Sequence, residues 1–245
     1  DGRDDLIICE HGFYLGRFCW WENTGDGYRP HELLRQAGSL NARIADFNED
    51  NRPDIALITS QSREGIHLFM NKGAGQFAHR RVVENHPAWG NSHLEVVDFE
   101  GDGDLDLLAT NGDNGDIDPP PFKAYHGIRL YLNNGRNEFK EAFYWPQNGA
   151  FGALPEDFDG DGDMDILAIS YFPNYIESRE ESLVYLENQG GLKFKASTFP
   201  EVNIAGRWLV MDKGDLDGDG DTDVVLGAFN DFPERETPCF VHEAR

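Results

Sequence analysis

Basic residues are scarce in this chain: 21 Lys and Arg stand against 45 Asp and Glu, leaving a formal charge of −24 and a pI near 4.5. A surface so acidic repels phosphate backbones and anionic lipid, which excludes nucleic acid and an anionic membrane face as partners. Cysteine is scarcer still. Cys9, Cys19 and Cys239 make neither a disulfide framework nor a C-x-x-C pair. Cys9 and Cys19 are expected on adjacent antiparallel strands, where either a cross-strand disulfide or two buried thiols would fit. No run approaches the ~20 apolar residues of a membrane span. G-x-S-x-G, H-E-x-x-H, the P-loop and a strand-to-helix G-x-G-x-x-G are also missing, which removes the usual motif grounds for an enzyme.

What the chain does have is acid in a fixed pattern. Residues 157–167 read DFDGDGDMDIL, with five aspartates on alternate positions, two glycines and then an abrupt turn to apolar residues. Hard cations such as Ca²⁺ take six to eight oxygens, and carboxylates at every second position of a tight loop can converge on one point. Asp157, Asp159, Asp161 and Asp165 are the side-chain ligands expected here, with the carbonyl of Asp163 as a backbone ligand and Gly162 at the turn. An EF-hand would need a glutamate at the twelfth position and flanking helices. Ala168 stands there instead, inside the apolar run 166–170, so a β-strand leaves the loop.

The pattern recurs without gaps as DFNEDNRPDIALI (46–58), DFEGDGDLDLLAT (98–110) and DLDGDGDTDVVLG (215–227). The corresponding ligands are Asp46, Asn48, Asp50 and Asp54; Asp98, Glu100, Asp102 and Asp106; and Asp215, Asp217, Asp219 and Asp223. DGRDDLIIC (1–9) matches the second half of a fifth copy, with Asp1 and Asp5 as its ligands. The chain is therefore expected to be a piece of a longer polypeptide, with Ca²⁺ as cofactor at four to five sites. Two loops depart from the pattern: Asn51 replaces the turn glycine, which asparagine tolerates, and Glu100 puts a longer arm at the second ligand position.

The last aspartate of each loop falls at 5, 54, 106, 165 and 223, and strand-like segments fill the intervals. Such a period is the signature of a propeller-like array of four-stranded blades. The fold class expected is all-β: a β-propeller of four-stranded antiparallel blades. The blades are placed at 1–35 (partial), 38–85, 91–146, 152–200 and 204–245 (partial), as a segment of a larger, seven-bladed ring. Fourth strands are expected to begin at Phe77, Phe139 and Phe194, after Asn-Gly and Gly-Gly hairpin signals.

The D-x-[DN]-x-D-G-x-x-D loops, the apolar strand after them and third strands such as LYLNNG (130–135) resemble FG-GAP/VCBS repeats, across essentially the whole chain. These are the calcium-bearing blades of integrin α-subunit propellers, some fungal lectins and many secreted bacterial proteins. The stretches LLATNGDN (107–114), YHGIRLYLNNG (125–135) and GRWLVMDKGDLDGDGD (206–221) are most similar to the bacterial type. The resemblance implies a calcium-binding repeat protein that is secreted, extracellular, periplasmic or on the cell surface. Dense calcium loops suit such compartments, where affinities of only about 10⁻⁴–10⁻³ M suffice.

In a propeller the calcium loops occupy one face and the variable segments the other. Those segments and the blade-to-blade links carry Trp89, Tyr125, His126, Trp145, Asn148, Tyr171, Arg207 and Trp208, the ligand-binding candidates. Long aromatic loops on a rigid scaffold are where binding usually resides. The functional expectation is a binding or adhesion module for a glycan or protein partner, or for other domains of the same polypeptide. The alternatives are a polysaccharide lyase or hydrolase using residues such as His126 and Arg207, and a purely structural domain. For any single aromatic, packing against a neighbouring blade competes with ligand contact.

Overall fold

A computed structural model of the chain describes residues 2–61, 63–115, 121–174, 176–199, 207–229 and 240–242. They form five antiparallel sheets in chain order. The first holds β1 (Leu6–Glu10), β2 (Arg17–Asn23) and β3 (Tyr28–Leu34). The second holds β4 (Ser39–Ala45), β5 (Asp54–Thr59), β6 (Gly65–Asn71) and β7 (Phe77–Glu84), and the third β8 (Asn91–Val97), β9 (Asp106–Asn111), β10 (Gly127–Asn133) and β11 (Phe139–Pro146). The fourth holds β12 (Ala150–Glu156), β13 (Asp165–Ser170), β14 (Leu183–Asn188) and β15 (Phe194–Ser197), and the fifth β16 (Trp208–Gly214), β17 (Asp223–Ala228) and β18 (Phe240–His242). Among the described residues the only helical element is a 3₁₀ turn, Arg179–Ser182. No helix there is long and apolar enough to cross a membrane.

The second strands of the repeats are apolar on both faces, and the packing explains why. Ala56 and Ile58 of β5 join Leu94, Leu107, Ala109 and Tyr131 of the next sheet in one core. Ile55 and Leu57, on the other face of the same strand, pack with Phe18 of the preceding sheet. Likewise Ile166 and Ala168 of β13 face the third sheet, while Leu167 and Ile169 face the fifth. Each interior sheet is buried between two neighbours, so its middle strands read as continuous apolar runs and not as an alternation. The cores therefore lie between consecutive sheets, and their first strands touch: β4 with β8, β8 with β12, and β12 with β16.

Strand order also separates the loops into two ends. The carboxylate loops join first strands to second strands. The second-to-third connections and the links between sheets gather at the opposite end, where they are hydrogen-bonded to each other: Ser60 N to Gly38 O (2.8 Å), Gly112 N to Gly90 O (2.8 Å), Tyr171 N to Gly149 O (3.0 Å) and Phe229 N to Arg207 O (3.0 Å). The approach is close enough to demand glycine. At Gly38 (φ +87°) a Cβ would lie 1.4 Å from the Ser60 carbonyl oxygen.

The cross-strand disulfide does not form. Ile8 pairs with Cys19 and Cys9 with Phe18, so the two cysteines are one register step apart and project to opposite faces of the pleat. Both are free thiols. Burial pushes the Cys9 thiol up to about 11, which keeps it protonated and unreactive at neutral pH. Cys239 lies outside the described residues.

Candidate functional site

Each carboxylate loop folds around its first aspartate. Asp157 accepts from the amides of Asp161 (3.0 Å) and Gly162 (3.0 Å), and Asp98 from those of Asp102 (3.1 Å) and Gly103 (2.9 Å). Asp46 accepts from Asn48, Asp50 and Asn51, the last at 2.7 Å. These local bonds draw alternate side chains inward. Asp157, Asp159 and Asp161 bring one carboxylate oxygen each within 4.8 Å of one another, and so do Asp215, Asp217 and Asp223. A cation bound at 2.3–2.6 Å needs its oxygen donors no further apart than about 4.6–5.2 Å. The donor sets, all oxygen and mostly charged, therefore fit a hard divalent ion. Asp1 lies outside the described residues.

Loop 46–54 differs from its sisters. Its two turns fall on Glu49 (φ 57°) and Asn51 (φ 62°), where the other loops have glycine pairs such as Gly101 and Gly103 or Gly160 and Gly162. The replacement at Glu49 was not singled out from the sequence, although the alignment carries it. Arg52 also places its guanidinium on Asp50, with its Nε on the Asn71 carbonyl. An internal cation thus neutralises one of this loop's carboxylates. A polar cleft of about 240 Å³ separates this loop from loop 98–106, lined by Asp46, Asn48, Glu49, Asp104 and Gly135 among others. It opens among the carboxylate loops and not at the end where a ligand was expected.

The closing aspartates do something the spacing did not reveal. Asp54, Asp106 and Asp165 are buried to within 1% of complete exclusion, and each carboxylate bridges two strands. Oδ1 accepts the amide of an asparagine at the end of the third strand: Asn71 (2.6 Å), Asn133 (2.8 Å) and Asn188 (2.7 Å). Oδ2 accepts the amide that follows the first aspartate, from Phe47 (3.1 Å), Phe99 (2.9 Å) and Phe158 (3.3 Å). The asparagine side chains complete the latch. Their Nδ2 groups donate to the carbonyls of Pro53, Leu105 and Met164, and their Oδ1 atoms accept from Gly73, Asn137 and Gly190. Asp5 and Asn23 repeat the arrangement in the first sheet, in a more exposed setting. Burial raises the carboxyls of Asp54, Asp106 and Asp165, and the amide bonds pull them back. The asparagine of W-E-N, F-M-N, Y-L-N and L-E-N was visible in the sequence, but only as a turn signal.

At the opposite end the candidate ligand residues fall into local groups, most of them engaged within the protein. Arg129 sits over the rings of both Trp89 and Tyr144, 4.2 Å from each centroid, and its Nε donates to Glu141 while NH1 reaches Asn111. Tyr125 stacks beside Trp89 at 6.2 Å and donates its hydroxyl to the Ala88 carbonyl. His126 is 2% exposed, and burial holds its imidazole down to about 4, so it is neutral at physiological pH. Such a ring is poorly placed to exchange protons with a substrate. Trp145 packs against the core shared by the third and fourth sheets. Asn148 donates to the Glu181 carboxylate (2.9 Å). Tyr171 is covered by Phe151 and Phe172, with the Arg207 guanidinium 5.5 Å from its centroid.

Trp208 requires a correction. It is completely buried in the core between the fourth and fifth sheets and offers no face to a ligand. As the first residue of β16, at the same position as the buried Ala150 of β12, it points between the sheets. The apolar side chains that do project at this end were not chosen from the sequence: Phe13 (56% exposed), Tyr14 (88%), Leu15 (89%), Phe122 (60%), Ile176 (94%) and Phe229 (50%).

Repeated antiparallel sheets, whose first and second strands are joined by aspartate-rich loops, define a class of all-β repeat protein. The family model for the FG-GAP-like repeat matches residues 46–109 and 157–226, more than half of the chain, and the chain belongs to that family. Each matched segment begins at the first aspartate of a loop and ends in the apolar strand after the next one. A search of curated proteins finds no match to the chain.

Proposed function

We propose that this chain is a calcium-stabilised β-propeller segment of VCBS type that works outside the cytoplasm as a binding or adhesion module. The observation that carries the calcium reading is the convergence of Asp157, Asp159 and Asp161, and of Asp215, Asp217 and Asp223, each within 4.8 Å. Four loops of this kind concentrate negative charge that divalent cations would offset. Asp46, Asn48, Asp50 and Asp54, and Asp98, Glu100, Asp102 and Asp106, hold the remaining sites, with Arg52 weakening the first. Blade-wise stacking of the sheets through their first strands supports the propeller arrangement.

Replacing Asp161 should report on the ligand set directly. Asp161→Ala removes a converging carboxylate, whereas Asp163→Ala leaves the backbone carbonyl in place. Calorimetric titration with Ca²⁺ should show one site lost or weakened by a factor of ten or more on the order of a charged ligand in the first variant and little change in the second. Equal losses would refute the assignment.

Partner binding is assigned to the end opposite the carboxylate loops. Exposed apolar side chains concentrated on loop tips mark interaction surfaces, and Tyr14, Leu15 and Ile176 are of this kind. The Arg129 stack and the Asn148–Glu181 bonds tie down loops of the third and fourth sheets at this end, and ordering loops in advance lowers the entropic cost of association. The partner is a neutral or basic glycan or a protein with a basic or apolar face, since a −24 chain repels polyanions. A glycan array probed with the full chain in millimolar Ca²⁺, alongside reducing-sugar and unsaturated-uronate assays, tests this. Saturable binding without turnover, weakened by Tyr14→Ser, is expected. Turnover abolished by Arg207→Ala would overturn it.

A further inference from the structure

We infer that Tyr185 tunes the cation site of loop 157–165 by holding the Asp165 carboxylate aside, which leaves Asp157, Asp159 and Asp161 to carry the ion. The inference rests on the calcium reading above and extends it to a residue outside the loop.

The Tyr185 hydroxyl donates to Asp165 Oδ2 at 2.6 Å. That oxygen also accepts the Phe158 amide, and Oδ1 accepts the Asn188 amide. A carboxylate offers about four lone-pair directions, so three are taken inside the protein. A short O–H···O⁻ bond belongs to the strong, charge-assisted class, and a cation would have to compete with it. The converging carboxylates agree with this. In loop 157–165 the set is Asp157, Asp159 and Asp161 without Asp165, whereas in loop 215–223 it is Asp215, Asp217 and the closing Asp223, without Asp219.

The first sheet repeats the device with a different side chain. Trp20 donates Nε1 to Asp5 Oδ2 at 2.8 Å. It stands three residues before the latch asparagine Asn23, as Tyr185 stands three before Asn188. At that register the second and third sheets carry Leu68 and Leu130, buried aliphatic residues with no proton to donate. The first four sheets thus come in two kinds, with and without an aromatic donor on the closing carboxylate. Fewer charged ligands mean weaker calcium binding, so the aromatic donor sets affinity loop by loop.

Calcium titration calorimetry of the decalcified full chain tests this with Tyr185→Phe, Asp161→Ala and the double variant. Tyr185→Phe keeps the ring against Phe158 and removes only the hydroxyl. Releasing Asp165 to the ion should tighten one site by about threefold or more, and the gain should vanish in the Asp161→Ala background, where that site is disabled. Tyr185→Leu, which installs the residue that the second and third sheets use, should reproduce the gain. Unchanged or weaker binding in both Tyr185 variants, or a gain that survives Asp161→Ala, overturns the inference while leaving the calcium reading intact. Absence of calcium binding by the unmodified chain overturns both.

Discussion

In excess EDTA the protein should melt on the order of 10–20 °C below its melting temperature in millimolar Ca²⁺. The magnitude follows from mass action. A ligand that binds only the folded state adds RT ln(1 + [L]/Kd), which for Kd near 10⁻⁴ M and millimolar Ca²⁺ is about 1.4 kcal/mol per site. Four sites give roughly 5–6 kcal/mol, and each kcal/mol moves the midpoint of a domain of this size by about 2–4 °C. The loop electrostatics act in the same direction. Loops 157–165 and 215–223 each set three carboxylates side by side, and without an ion it falls to amide donors, the Tyr185 hydroxyl and, in loop 46–54, Arg52 to offset the repulsion in the carboxylate loops. Differential scanning calorimetry in the two buffers checks the expectation, and coincident melting curves would refute a structural role for the cation. Mg²⁺ should rescue less than Ca²⁺, because it demands near-ideal octahedral geometry and releases its water reluctantly.

Asp106→Ala should destabilise the fold by roughly 3–5 kcal/mol even in EDTA, because it strands two amide donors that the carboxylate satisfies. Those donors belong to Phe99 and Asn133, at the ends of two different strands. Asp106 is 1% exposed, so water cannot readily take over the bonds. Asp102→Ala, in the exposed part of the same loop, should change stability in EDTA by no more than about 0.5 kcal/mol and lose only the calcium-dependent increment. Urea denaturation with and without Ca²⁺ separates the two. Equal losses in EDTA would mean that the closing aspartate is not a latch. The distinction matters for reading the loop: its first aspartates are half-buried or exposed, while its last also joins the loop to the sheet whether or not an ion is present.

The turn of each carboxylate loop was legible in the sequence because the bonds that fold it are local. From Asp157 to Asp163 the alternating acids, the turn glycines and the amides that fold the loop lie within seven consecutive residues, so alternation and glycine placement suffice to read them. The continuous apolar runs at 55–58, 107–109 and 166–169 were equally readable as buried strands, since burial on both faces leaves no polar position to disguise them. The starts of the fourth strands at Phe77, Phe139 and Phe194 followed from adjacent turn chemistry.

Long-range partners were decided by the tertiary structure alone. Asp54 finds Asn71 across 17 residues and Asp106 finds Asn133 across 27, pairings that no local spacing encodes. Trp89 and Tyr125 looked like open platforms until Arg129, which is remote from Trp89 in sequence, was placed over the Trp89 ring. Trp208, readable either as part of a blade-to-blade link or as the start of an inner strand, is enclosed where the fifth sheet packs onto the fourth. In each case the side chain is amphipathic or aromatic, so its chemistry suits either a ligand or a neighbouring sheet. Sequence sets which groups are available within a turn of chain, and only packing between sheets determines which of them remain free to meet a partner.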